Sequence, residues 1–331
     1  MTATFSSAPV VHTHFPLSTP DGEIRVRVDR PERPGRLPAV LFIQGFDTGP
    51  MEGLDDHPYG RFIARLAGQG FAVMRAWRPV PRAGTAGLSP READLADDLR
   101  LFEAALRRLK ELDFVDPDRV FLFGHSLGGL VAPLLALQVP VLGIAVYGTS
   151  LKPWRELIPE AFRVQGPLLG ADPVENERLV GELRDLMVLF YRDRKSPAEI
   201  EADARCRDIL REHLQHDGHG HLWGRHYRYW QQLDDHDMTG VWSRTGAHVL
   251  SMFGQFDLEV FSDLEARSIA DIVNHHHPGH GRFLQIDGVN HLFCRVGSML
   301  EAARDRDPRT MVTRFHEDAV RLTAAWMREV V

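Results

Sequence analysis

The sequence predicts an α/β protein: a mostly parallel central sheet flanked by helices, with a helical segment inserted late in the chain. Three observations lead to this fold class. Short, nearly continuous apolar runs closed by glycine or polar residues recur along the chain, as strands buried on both faces do. Amphipathic helical patterns lie between them, and strand alternating with helix means parallel pairing with both faces covered. One long stretch, 151 to 245, breaks that rhythm with Arg, Glu, Asp and His at amphipathic spacing and no buried strand.

Taken in order, residues 22 to 29 (GEIRVRVD) alternate apolar and charged behind the turn residues STPDG. They predict a leading hairpin with one wet face. The buried strands follow as PAVLFIQG (38 to 45), FAVMRAW (71 to 77), RVFLFG (119 to 124), VLGIAVYG (141 to 148) and HVLSMFG (248 to 254). The clearest helix covers 91 to 112, where Leu95, Leu99, Phe102, Leu106 and Leu109 recur at three- and four-residue steps. Near the C-terminus Met311, Phe315, Ala319, Leu322 and Trp326 form another such stripe, expected to pack on the sheet. The core is therefore assigned to 1–150 and 246–331, and the helical insertion to 151–245.

Bulk composition narrows the function. With 331 residues, 44% hydrophobic and 26% charged, the chain is ordinary globular material rather than disordered. Lys and Arg number 39 against 46 Asp and Glu, a net charge of −7, and no basic run tracks a phosphate backbone; nucleic acid is not an expected partner. Cys206 and Cys294 cannot build a disulfide framework and lack metal-knuckle spacing, which points to a reducing, cytoplasmic setting. The N-terminus lacks a basic segment followed by an apolar one, and no later apolar run reaches the roughly 18 residues of a membrane span.

The chemistry centres on Gly124-His125-Ser126-Leu127-Gly128, a G-x-S-x-G pattern where a buried strand becomes a helix. A sharp turn there holds Ser126 in a strained conformation with its hydroxyl above the sheet, and flanking glycines let backbone approach closely. The helix start supplies unpaired N–H groups for a developing oxyanion. A serine hydroxyl needs a base, and the base an orienting group. In the order serine, acid, histidine, the acid should follow a late strand, and Asp257 stands three residues after Gly254. Glu259 is the alternative. GRFLQIDGVNHLF then supplies a short strand, a break at Gly288 and His291, the predicted base. His275, His276 and His277 read as an exposed helix end, and His125 should point away from Ser126.

These segments (LFIQGFD, RVFLFGHSLGGLVAPLLA, VLSMFGQFD and GVNHLF) resemble the α/β-hydrolase superfamily, over roughly 38 to 150 and 245 to 330. More narrowly they are similar to cap-bearing serine hydrolases allied to prolyl oligopeptidases and serine aminopeptidases. The resemblance implies that the backbone N–H groups of Phe46 and Leu127 are the oxyanion donors. Gln44 stands where many members carry His, and RPVPRAGTAGLS (78 to 89) replaces the usual Asp-x-x-G-x-G-x-S turn.

The insertion contains HLQHDGHGHLWGRHYRYWQQL (213 to 233). Its histidines raise a metal site, but Gly218, Gly220 and Gly224 make the run pliable and no metal-ligand spacing is matched. No metal or cofactor is assigned. Its position suggests a cap over the mouth of the site, with Trp223, Arg225 and His226, together with Gln44, contacting a small-molecule acyl substrate; the same aromatics could instead glue the cap helices together. The expected activity is that of a serine hydrolase acting on an ester, thioester or amide. Alternatives are an acyltransferase or cyclase that excludes water, and a silent ligand-binding scaffold. Hydride transfer is excluded because IQGFDTGPMEG offers no dinucleotide turn.

Overall fold

The computed structural model describes residues 9–46, 54–80 and 88–331. Most of the 78 to 89 turn, and Asp47 of the LFIQGFD segment, lie outside the described residues.

Its sheet is assembled from β1 (Val10–Thr19), β2 (Gly22–Pro31), β3 (Leu37–Ile43), β4 (Ala72–Trp77), β5 (Val115–His125), β6 (Gly143–Tyr147), β9 (His248–Gly254) and β10 (Gly281–Ile286); a separate two-stranded ribbon pairs β7 (His221–Leu222) with β8 (Arg225–His226). The strand order is β1-β2-β4-β3-β5-β6-β9-β10. The leading hairpin pairs Thr19 with Gly22 and Val10 with Pro31, and β2 runs antiparallel to β4. From β4 to β10 every pairing is parallel, so the C-terminal ends of β5, β9 and β10, which precede Ser126, Asp257 and His291, all open on one edge of the sheet.

Helices cover both faces. α1 (Pro58–Gly68) lies on one side with the C-terminal helix Asp318–Val330, burying Phe62, Leu66, Val320 and Trp326 against Val40, Phe42, Phe121 and Phe123. α2 (Leu95–Glu111) and α3 (Gly128–Ala136) lie on the other, over Leu41, Met74 and Leu122. Asp94 starts α2 with a reciprocal capping box to Asp97, which satisfies two orphan donors of the first turn. The apolar stripe of α2 is buried at Leu95, Phe102, Leu106 and Leu109, as its spacing requires.

Between β6 and β9 the chain is mainly helical. α4 (Trp154–Leu168) and α5 (Pro173–Met187) pair with each other, and the helix Tyr227–Asp234 follows the short ribbon. Leu183, Leu186, Phe190, Trp230 and Trp242 join the same apolar cluster as α2 and α3, so this segment is welded to the body by burial as well as by charge.

The C-terminal stripe is broken, contrary to the single helical pattern expected. Helix resumes only at Asp318, and Met311 sits in the short helix Pro308–Met311, packed on Leu258 and Cys294. Phe315 forms a β-bridge to Cys294, and His316 N–H donates to the Phe293 carbonyl at 2.7 Å; pairing with the 293–295 backbone pulls these residues out of helix. Among the described residues no helix is long and apolar enough to cross a membrane.

Candidate active site

β5 ends at His125 and α3 begins at Gly128, leaving Ser126 at the turn with φ of +53°. A side-chain-bearing residue in that region is strained and persists only where its surroundings impose it. Here the Ser126 N–H donates to the Tyr147 carbonyl of β6 at 2.9 Å, and the Ser126 carbonyl accepts from Gly129 N–H at 2.8 Å. The turn is tight enough that a Cβ on Gly124 would collide with the Gly128 carbonyl oxygen, so glycine is required there.

Asp257 follows β9 and is fully buried. Its Oδ1 accepts from the N–H groups of Glu259 and Val260 at 2.8 and 3.0 Å. His291 Nδ1 lies 2.8 Å from Oδ2 and 3.0 Å from Oδ1. Glu259, the alternative acid, is tied instead to Arg306 at 2.8 Å. The loop after β10 that carries His291 is fixed by Asn290, whose Oδ1 accepts from Leu292 and Cys294 N–H, each at 3.0 Å, while Tyr147 donates to the Asn290 carbonyl at 2.6 Å. Gly148 closes over the pair with φ of +61°; a Cβ there would stand 2.8 Å from both Asp257 Oδ2 and His291 Nδ1.

With Nδ1 donating to the carboxylate, Nε2 keeps its lone pair for a proton. Burial opposes a charged ring, but the Asp257 carboxylate outweighs it by charge and hydrogen bond, and His291 is raised above the ordinary imidazole value. Ser126 and His291 line one cavity of about 530 Å³. Among the described residues the His291 ring is hydrogen-bonded only to Asp257, and Ser126 Oγ makes no hydrogen bond; such contacts are often long in a free enzyme and tighten around substrate. Phe46 and Leu127 stand on the same wall. Among the described residues neither donates its N–H elsewhere, and Leu127 sits at the positive end of α3.

Much of the rest of the wall is apolar and comes from α4 (Trp154, Leu157, Ile158, Ala161 and Phe162), while Gln165, Glu259, Asp305 and Arg306 make another part of it polar. Trp223 is on it too, with Trp230 at 5.1 Å between ring centres, Trp154 at 4.9 Å and Phe46 at 5.4 Å from the Trp230 ring. The α4 residues were not singled out in the sequence; an amphipathic helix following the VLGIAVYG strand was the available signal.

Three expected pocket residues lie elsewhere. Arg225 is buried, hydrogen-bonded to Asp98 of α2 at 2.7 Å and stacked on Tyr229 with 4.1 Å to the ring centre; a desolvated guanidinium is committed to its carboxylate. His226 accepts from Arg228 N–H at 3.3 Å and so starts the following helix. Gln44 faces a void of about 20 Å³ shared with Arg225, behind the main cavity. The histidine-rich run is held by hydrogen bonds: His216 meets Glu201, and His221 bridges Asp217 and Glu92, each contact at 2.8 Å.

No protein-family model and no curated protein matches the chain. Solved structures do. An esterase of Pyrobaculum calidifontis superposes with a TM-score of 0.56 at 16% identity, over 96% of this chain and 85% of that one. Est1E from Butyrivibrio proteoclasticus gives 0.54 at 17%, covering 96% of each chain. The thermostable carboxylesterase EstE1, cloned from a metagenomic library, gives 0.56 at 17% over 98% and 90%. With its mostly parallel eight-stranded sheet flanked by helices, the chain has the α/β-hydrolase fold.

Proposed function

We propose that this protein is a serine hydrolase that cleaves esters through an acyl-enzyme on Ser126, with His291 as base, Asp257 as its orienting acid and the 151–245 insertion as a cap. The observation that carries this reading is the shared cavity. A strained serine at a strand-to-helix turn, a histidine held in one tautomer by a buried carboxylate, and Phe46 and Leu127, whose N–H groups donate to no other described residue, line the same space.

The steps follow from the proton inventory. His291 Nε2 takes the Ser126 proton as Oγ attacks the carbonyl carbon. The oxyanion is held by the N–H groups of Phe46 and Leu127, near the N-terminus of α3. The imidazolium, stabilised by Asp257, returns the proton to the departing alkoxide. Water, with His291 again as base, then releases the acid. The aromatic and aliphatic wall built by α4, Trp223 and Trp230 favours a neutral, largely apolar acyl group, because a charge placed there would lose its hydration.

Purified Ser126→Ala, compared with the natural chain on p-nitrophenyl butyrate, tests the reading. The variant should fold normally and lose turnover by at least about a thousandfold; retained turnover would overturn it.

A further inference from the structure

His125, next to the nucleophile, takes no part in the steps above, yet it is buried at 1% exposure among hydrogen-bonding groups. We propose that His125 and Tyr59 form a brace that fixes the base loop and the oxyanion loop together, making both of them positioning residues. The proposal rests on the reading of Ser126, His291 and Asp257 given above.

The brace follows from which groups can donate. His125 Nε2 lies 2.7 Å from the backbone carbonyl of His291. A carbonyl only accepts, so Nε2 carries the hydrogen. Nδ1 lies 2.7 Å from the Tyr59 hydroxyl. Burial first, and the neighbouring His291 second, push His125 well below the ordinary imidazole value, so the ring is neutral and Nδ1 accepts from the Tyr59 O–H. The Tyr59 oxygen keeps lone pairs, and the Gly45 N–H points at it from 3.2 Å.

Each donor along this line therefore has an acceptor, and the chain of bonds runs from Gly45 through Tyr59 and His125 to His291. Gly45 is bonded covalently to Phe46, which lines the cavity with Ser126 and is the proposed oxyanion donor. His125 is bonded to Ser126. His291 has its carbonyl held on one side and its ring held by Asp257 on the other. A single relay thus sets the relative positions of donor, nucleophile and base, which catalysis needs to well under an ångström.

Titratable neighbours face His125 from every side: His57 and Tyr59 from the start of α1, Tyr147 from β6, and His291 from the loop after β10, where Phe293 also packs 4.9 Å away ring to ring. Tyr147 is held protonated by burial. His125 and His291 are displaced in opposite directions. His291 can therefore gain and lose its proton while His125 stays neutral and the brace intact.

The test compares Tyr59→Phe, His125→Leu and His125→Gln, whose amide keeps a donor for the His291 carbonyl. On p-nitrophenyl butyrate, Tyr59→Phe and His125→Leu should each lose about tenfold or more in kcat with KM within about twofold. His125→Gln should recover most of the loss, and the Tyr59→Phe/His125→Leu double variant should be no worse than the poorer single one. Nitrogen NMR of the natural chain should show His125 as the Nε2–H tautomer. Unchanged kcat in folded Tyr59→Phe, additive losses, or an Nδ1–H tautomer would each overturn the brace. If His125→Leu does not fold, Tyr59→Phe, His125→Gln and the tautomer decide. A natural chain that is active and phosphonylated at Ser126 yet indifferent to these changes overturns the brace alone. One that is never phosphonylated there overturns the hydrolase reading, and the brace with it.

Discussion

His291 Nδ1 stands 2.8 Å from Asp257 Oδ2, and the two residues arrive on loops that follow the neighbouring parallel strands β10 and β9. Parallel pairing is what makes the meeting possible, because it brings the C-terminal ends of both strands to one edge. The carboxylate raises the imidazole, and in the proposed mechanism the imidazole must be neutral to accept the serine proton.

The sign of the pH dependence follows. Activity should fall as pH drops through a midpoint above about 6.5, the ordinary imidazole value. Asp257→Asn should move that midpoint to lower pH and cut kcat by about a hundredfold or more. The raised value also contributes stability that is present at acid pH and is lost as pH rises through it. A kcat profile across pH 5 to 9, with thermal melts over the same range, checks both; an acid limb indifferent to Asp257→Asn would contradict the assignment.

Gly148→Ala should be costly to chemistry and moderate to stability. Its Cβ would stand 2.8 Å from Asp257 Oδ2 and His291 Nδ1, at a φ of +61°. We expect about 1 kcal/mol lost in urea unfolding from the left-handed backbone alone, and a tenfold or greater drop in kcat as the pair is pushed apart.

Ala161→Trp should read out the acyl pocket. Ala161 lies on the α4 wall of the cavity, and a large ring there fills space needed by a long acyl chain. Turnover of an acetyl ester should change by less than about threefold, while that of an octanoyl ester falls at least about tenfold. Equal effects on both esters would remove α4 from the specificity of the site.

Arg225→Ala should act on stability. Arg225 and Asp98 are buried together with a 2.7 Å hydrogen bond, Arg78 stands 3.9 Å from the same carboxylate, and removing Arg225 takes away the nearer of the two guanidinium partners. A loss of about 3 kcal/mol in urea unfolding is expected; a loss under about 1 kcal/mol would contradict it.

The fold was legible because strands buried on both faces must be apolar throughout, and because α2 writes its buried face in Leu95, Phe102, Leu106 and Leu109. In the candidate site, Ser126, Asp257 and His291 were singled out by place as much as type, and the structure sets each after a strand at the edge where parallel strands end. Side chains whose partners are remote in the chain were not legible. Arg225 turns to Asp98, 127 positions away, and His125 to Tyr59, 66 away; no local spacing encodes either. The terminal stripe misled because Phe315 keeps helical spacing while its backbone pairs with Cys294.

The most direct measurement is intact-protein mass spectrometry after exposure to a fluorophosphonate, with peptide mapping of the adduct. A single phosphonyl group should appear on Ser126, vanish in Ser126→Ala and form far more slowly in His291→Ala. An unmodified Ser126, or an adduct whose rate ignores His291, would contradict the account.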